Sequence, residues 1–212
     1  MRIMELTGNQ IIYIVIASVV VAVIIFCAIF FPLRKLRHVR KFRDHYYKKI
    51  YSIAFDRDYY LINNFLFRVE DNKVACIDHL LFGDKYIYLI SDLYYDGNLS
   101  GSYDDKSLIY MNNKGKKAYT DNPFEKSERL MKRLCSVTSQ NPSIMIGIVL
   151  VNDDCKLDIQ SESDQFFICQ RKKLSSLIKE IENRENVGVL NAELLARAVK
   201  SIDKLNRKKK TK

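Results

Sequence analysis

The chain has 212 residues and a mass of 24.8 kDa, room for one ordinary domain plus an appendage. Hydrophobic residues make up 48% and charged residues 28%, which excludes a disordered chain. The 7 Gly and 3 Pro exclude a collagen-like or linker-rich design, five Cys without paired spacing exclude a disulfide scaffold, and the formal net charge of +10 directs attention to polyanions, nucleic acid or an acidic lipid surface.

No charged residue occurs between Leu6 and Leu33. Within that stretch, residues 11–31 read IIYIVIASVVVAVIIFCAIFF, 21 residues apolar all the way round. As a helix rising about 1.5 Å per residue, this run matches a bilayer's hydrocarbon core of about 30 Å. A cleaved signal peptide has a shorter apolar region and a small-residue cleavage site; this run ends in Phe30-Phe31-Pro32 and has only Arg2 before it. The expectation is an uncleaved single-pass anchor. Arg34, Lys35, Arg37, Arg40, Lys41 and Arg43 follow it, whereas Arg2 and Glu5 before it cancel. The positive-inside rule then puts the C-terminal part in the cytoplasm and the short N-terminus outside, with the basic cluster contacting anionic headgroups. A reducing compartment suits Cys76, Cys135, Cys155 and Cys169 as unpaired thiols.

The positive charge lies at the two ends. Residues 34–50 carry eight Lys/Arg against one Asp, residues 197–212 carry the same balance, and residues 51–196 carry 18 Lys/Arg against 22 Asp/Glu. The middle is mildly acidic, unlike a basic nucleic-acid groove. The end 207–212 reads as a solvated basic tail, with a flexible arm for lipid or nucleic acid as the other reading.

Past the anchor, Tyr46, Tyr47, Ile50, Tyr51 and Ala54 fall at helical spacing and predict one apolar stripe on a basic juxtamembrane helix over 33–56. Aromatic and β-branched runs then predict strands over 59–69, 74–82 and 85–91, joined by short turns as an antiparallel meander. A hairpin is expected from 107–111 and 116–120. Asn122-Pro123-Phe124-Glu125 starts a helix, with Asn as N-cap, Pro at the first helical position and Glu at the third. Asn141-Pro142 ends that segment, and 143–152 is a near-continuous apolar run suited to a central strand covered on both faces. A short strand over 166–169 and helix faces at Leu174, Leu177, Ile178 and Ile181, then at Leu190, Leu194, Ala198, Ile202 and Leu205, complete the chain. The fold class expected is α/β: a transmembrane helix over 11–32, then one mixed β-sheet flanked by helices over 57–206.

Three segments in order carry a family resemblance: Ile77-Asp78-His79-Leu80-Leu81; Tyr88-Leu89-Ile90-Ser91-Asp92-Leu93 followed by Gly97-Asn98-Leu99-Ser100-Gly101; and Asn122-Pro123-Phe124 opening a helix. Together they resemble the nuclease-related domain (NERD) family, a branch of the PD-(D/E)XK nuclease fold, across roughly residues 40–205. The resemblance implies an "IDHL" strand, a strand ending in "IETK", a "G-x-I-x-G" turn and an "NP" helix start. It also implies two carboxylates holding Mg²⁺, which activates water, and a Lys that stabilises developing charge. Period 2 in a strand sets the E-x-K pair on one face.

Carried over residue by residue, Asp78 matches the first carboxylate, the family's Glu falls on Ser91 and its Lys on Leu93. Asp92 is one residue off and is expected on the opposite face, reachable as a substitute only through a β-bulge. The family's first-helix Glu has only Asp44 in its region. The expectation is a nuclease-like fold with a degenerate centre, acting at the membrane as a binding or scaffold module for nucleic acid or a protein partner, with no cofactor. The alternative is an active membrane-tethered nuclease using Asp78, Asp92 and Mg²⁺. Cys76 and His79, three apart on one strand, face opposite sides and cannot share a metal. Among 13 Tyr, Tyr94 and Tyr95, just past the E-x-K position, are the ones to test for ligand contact.

Overall fold

A computed structural model describes residues 8–70, 73–160, 163–185 and 188–206, with side chains outside that description at 8–12, 15, 31–41 and 69–70. The chain divides into two compact units, Met1–His45 and Tyr46–Lys212.

Helix α1 is Gly8–Asp56. In the first unit, the large apolar side chains described between Tyr13 and Phe30 stand 44–71% exposed. No helix among the described residues is long and apolar enough to cross a membrane. The span expected over 11–32 has Ile11, Ile12, Val15, Phe31 and Pro32 outside the described side chains. The same holds for Arg34, Lys35, Arg37, Arg40 and Lys41, whereas Arg43 is exposed. The expected tail 207–212 lies outside the described residues.

The second unit is built on two sheets, where one was expected. Strands β1 (Tyr60–Glu70), β2 (Lys73–Phe82) and β3 (Ile87–Asp92) form the anticipated antiparallel meander. β7 (Met145–Val151) joins β3 in parallel and β9 (Phe166–Gln170) joins β7 in parallel, giving the order β1-β2-β3-β7-β9. β7 is buried at every residue, as its unbroken apolar sequence requires of a strand covered on both faces.

The second sheet has the order β6-β5-β4-β8, from β4 (Gly97–Ser102), β5 (Ser107–Asn112), β6 (Lys117–Asp121) and β8 (Lys156–Gln160). β5 and β6 are the expected hairpin. β4 corrects an expectation: the Gly97 to Gly101 segment is a strand, not a turn. Gly97 holds φ 145°, and a Cβ there would stand 2.1 Å from the Met111 carbonyl oxygen, so only glycine lets β4 approach β5.

Leu99 and Leu108 of the second sheet pack against Val149, Val151 and Cys155, which closes one core between the sheets. The larger core lies under the helices. Helix α2 (Pro123–Thr138) starts as expected: the Asn122 side chain accepts the Phe124 N–H at 3.0 Å, and Pro123 opens the helix. It buries Phe124, Met131 and Leu134 against residues of the first sheet. Helix α3 is Leu174–Glu182, and α4 is Ala192–Leu205, capped by Asn191. Near the C-terminus of α4 the Asn206 side chain accepts the Leu66 N–H at 3.5 Å, covering part of the open edge of β1.

The aromatic stripe on α1 needs a second correction. Tyr46, Ile50, Ile53 and Ala54 are buried, but Tyr47 and Tyr51 face outward with Phe55, stacked at centroid distances of 6.1 and 6.4 Å.

Candidate functional site

The residues singled out by sequence meet where β2 and β3 run side by side. The register pairs Asn63 with His79 and His79 with Ile90, and extending it by one residue sets Asp78 opposite Ser91. Alternation then decides the faces. Asp78 and Ser91 share one side of the sheet; His79, Ile90 and Asp92 share the other.

The hydrogen bonds follow this division. His79 is 5% exposed, and both its ring nitrogens are engaged: Nδ1 with Asn63 Oδ1 at 2.5 Å, Nε2 with Asp92 Oδ2 at 2.9 Å. Asp78 Oδ2 accepts the backbone N–H of Asp92 at 3.0 Å, so its carboxylate caps the end of β3. Asn64, which faces Asp78 in the β1 register, takes a left-handed φ of 52°, a conformation asparagine tolerates.

Leu93 packs against the core between the sheets, and its carbonyl accepts the Tyr46 hydroxyl at 3.3 Å. Burial pushes the Tyr46 phenol well up, with Asp92 and Asp153 adding to the rise, which places that hydroxyl among the site's carboxylates. Tyr95 belongs to the same core: its N–H donates to Asn152 Oδ1 at 2.9 Å and its ring lies 5.6 Å from that of Tyr110. Tyr94 is the exposed member of the pair, at 40%. Asp44 is exposed and falls in the first unit.

Sequence reasoning missed an ion pair just past β7. Asp153 accepts from Arg171 Nε at 3.0 Å and from the Lys172 N–H at 2.7 Å. Burial works to raise the Asp153 carboxyl, but these donors outweigh it and hold the group below its usual range. The partners are 18 residues apart in sequence, with no local spacing to join them.

Other reactive groups are quiet. Burial raises the Cys155 thiol to about 11 and the Cys169 thiol to about 12, so neither is a thiolate near neutrality. Cys76 is exposed and His79 buried, on opposite faces as expected. Among the described residues no group of three or more His, Cys, Asp or Glu is placed to hold a metal ion.

Residues 40–151 match the family model of the nuclease-related domain, more than half of the chain. The chain belongs to the NERD family. No curated protein and no solved structure matches it. The NERD match takes in α1 from residue 40, the meander, the second sheet through β6, α2 and β7, and it therefore includes Asp78, Ser91, Asp92 and Leu93. Strands β8 and β9 and helices α3 and α4 lie beyond it.

Proposed function

We propose that this NERD-family chain is a membrane-anchored binding module whose nuclease-like centre no longer hydrolyses phosphodiesters. The observation that carries the reading is the engagement of Asp92 with His79, on the sheet face away from Asp78. The family's Glu and Lys positions hold Ser91 and Leu93, and Leu93 is packed into a core. Asp78 spends one carboxylate oxygen on a backbone N–H. A Mg²⁺ ion needs several oxygen ligands converging on one point, and this donor set does not fit it: one carboxylate and one hydroxyl share the face, and the second carboxylate is held on the other.

Support for the PD-(D/E)XK reading is topological. An antiparallel meander followed by a parallel strand on β3 sets the Asp78 and Ser91 positions side by side. Support for the anchor is physical: twelve large apolar side chains between Tyr13 and Phe30 are exposed, a surface that water disfavours and lipid does not. The basic residues that follow orient the second unit toward the cytoplasm. The partners on this reading are the bilayer and a nucleic acid or protein.

The test is cleavage by the full chain in detergent on single- and double-stranded DNA and RNA, with Mg²⁺ or Mn²⁺, beside Asp78→Ala and EDTA controls. No cleavage above the Asp78→Ala control is expected. Metal-dependent cleavage lost in Asp78→Ala overturns the reading in favour of an active nuclease that recruits Asp92.

A further inference from the structure

The second sheet has one face turned away from the core, and its register specifies what stands there. Lys117, Met111, Asn98 and Lys156 form one row across the four strands; Tyr119, Ile109, Ser100 and Asp158 form the next. The opposite face holds Leu99 and Leu108, buried against β7. On the open face Tyr119 is 80% exposed and its cross-strand neighbour Ile109 is 40% exposed.

A tyrosine ring in mid-strand with this much exposure contributes little to packing, whereas tyrosines of the same unit such as Tyr46 and Tyr88 are buried. The neighbours of Tyr119 on this face are Ile109 across the strand pair and Lys117 along β6, and the residues two strands away, Asn98 and Ser100, are short. The charge around it is arranged. Lys114 and Lys116 sit at the turn between β5 and β6, and Lys117 and Lys156 end the adjoining row. All four lysines are exposed. Four exposed carboxylates stand nearby: Asp158 in the Tyr119 row, Asp121 at the far end of β6 from the lysines, and Asp96 and Asp154 at the lysine end, Asp96 held by Asn113 of the turn. Lysines therefore outnumber acids at one end of the face although residues 51–196 as a whole are acidic. Lys117 lies two residues from Tyr119, about 6.8 Å along the strand, and Lys156 lies three strand spacings of about 4.8 Å from Lys117.

We infer that this face is a stacking platform for single-stranded nucleic acid: a base lies on Tyr119 over Ile109, and the phosphates run along the lysine end. A ring that accepts any base and lysines that follow the backbone are the two components of sequence-tolerant strand binding. The inference rests on the binding-module reading and names its ligand and its surface. It involves none of Asp78, His79 or Asp92.

The chain contains no Trp, so Tyr119→Trp gives it a single Trp that keeps a stacking ring, read by Trp-selective excitation in discs whose belt protein also lacks Trp. The experiment uses the full chain in phosphatidylcholine nanodiscs and labelled oligo(dT) and oligo(rU) of about 12 nucleotides, a length one small domain can span. Saturable quenching of the Tyr119→Trp emission is expected. By anisotropy, Tyr119→Ala should weaken binding at least about fivefold, Tyr119→Phe far less, and Lys117→Gln should flatten the salt dependence. Binding without quenching, or Tyr119→Ala binding like the parent, places the affinity in the basic ends and overturns the platform. No binding at all, as for a protein-docking face, overturns it too. The recovered oligonucleotides are run on a gel: cut strands refute the non-hydrolytic reading whatever Tyr119 does.

Discussion

Removing Asp92 separates a structural carboxylate from a catalytic one by the sign of its effect on stability. Carboxylates gathered to hold a metal repel one another, so deleting one without metal present raises stability. Here Asp92→Ala takes the oxygen acceptor from His79 Nε2, in a pair whose side chains are 6% and 7% exposed. A buried polar group left without its partner costs about 1–3 kcal/mol. For a chain of this size each kcal/mol moves the midpoint by about 2–4 °C, so the Tm should fall by about 2–12 °C. Asp92→Asn keeps an oxygen acceptor and should lose less. Asp78→Ala strips the acceptor from the Asp92 N–H, bonded at 3.0 Å, and should also destabilise, by about 1–2 kcal/mol. The assay is thermal unfolding of the full chain in detergent with EDTA, followed by near-ultraviolet circular dichroism, which reads the buried Tyr46 and Tyr88. An unchanged or raised Tm in Asp92→Ala would refute the argument that His79 holds this carboxylate for the fold.

Three further outcomes are expected. Glu182 accepts the Tyr88 hydroxyl at 2.6 Å and the Lys85 N–H at 2.9 Å, and burial raises its carboxyl above the ordinary value despite those donors. A carboxyl raised in the folded chain contributes stability present below its unfolded pKa and lost as pH rises through its folded pKa. Glu182→Gln should therefore flatten the Tm-against-pH curve from mildly acid to neutral pH and leave the neutral chain at least as stable; a steeper curve would contradict the assignment. Asn122→Ala removes the cap on Phe124 and the donors to the Tyr103 and Asp105 carbonyls, and should cost about 1–3 kcal/mol by denaturant titration. Ser91→Glu with Leu93→Lys sets an E-x-K pair beside Asp78. Calorimetry should then detect Mn²⁺ binding that the parent lacks, while unfolding shows a loss of about 1 kcal/mol from half-buried Leu93 leaving its place against the core; no gain in Mn²⁺ binding would mean the Asp78 face is not where a metal would sit.

The sequence was most informative where local rules act alone. The cap at Asn122, the apolar run of β7 and the short turns of the meander each depend on neighbours within a few residues, and each stands as expected. The opposite facing of Asp78 and Asp92 was also legible, because alternation along a strand is a local property. Local rules failed where two answers were equally local. Tyr46, Tyr47, Ile50 and Tyr51 spread round more than one side of a helix, and only the folded unit selects Tyr46 and Ile50 for burial. β4 and β8 are short, polar and, in β4, bounded by glycines, so their pairing reads as loop until each finds its neighbour.

What this sequence determined by itself is the family and the order of most elements, since these are written in residue identity and spacing. Tertiary structure decided which groups satisfy one another: His79 with Asn63 and Asp92, Arg171 with Asp153, Glu182 with Tyr88, at separations of 13 to 94 residues. It also decided that the folded middle carries two sheets rather than one, and that lysines scattered along an acidic stretch collect at one end of an open face. The physical reason is the same in each case. Burial makes an unpaired polar group costly, so the chain closes on the partner its core geometry presents, and sequence distance does not enter that energy.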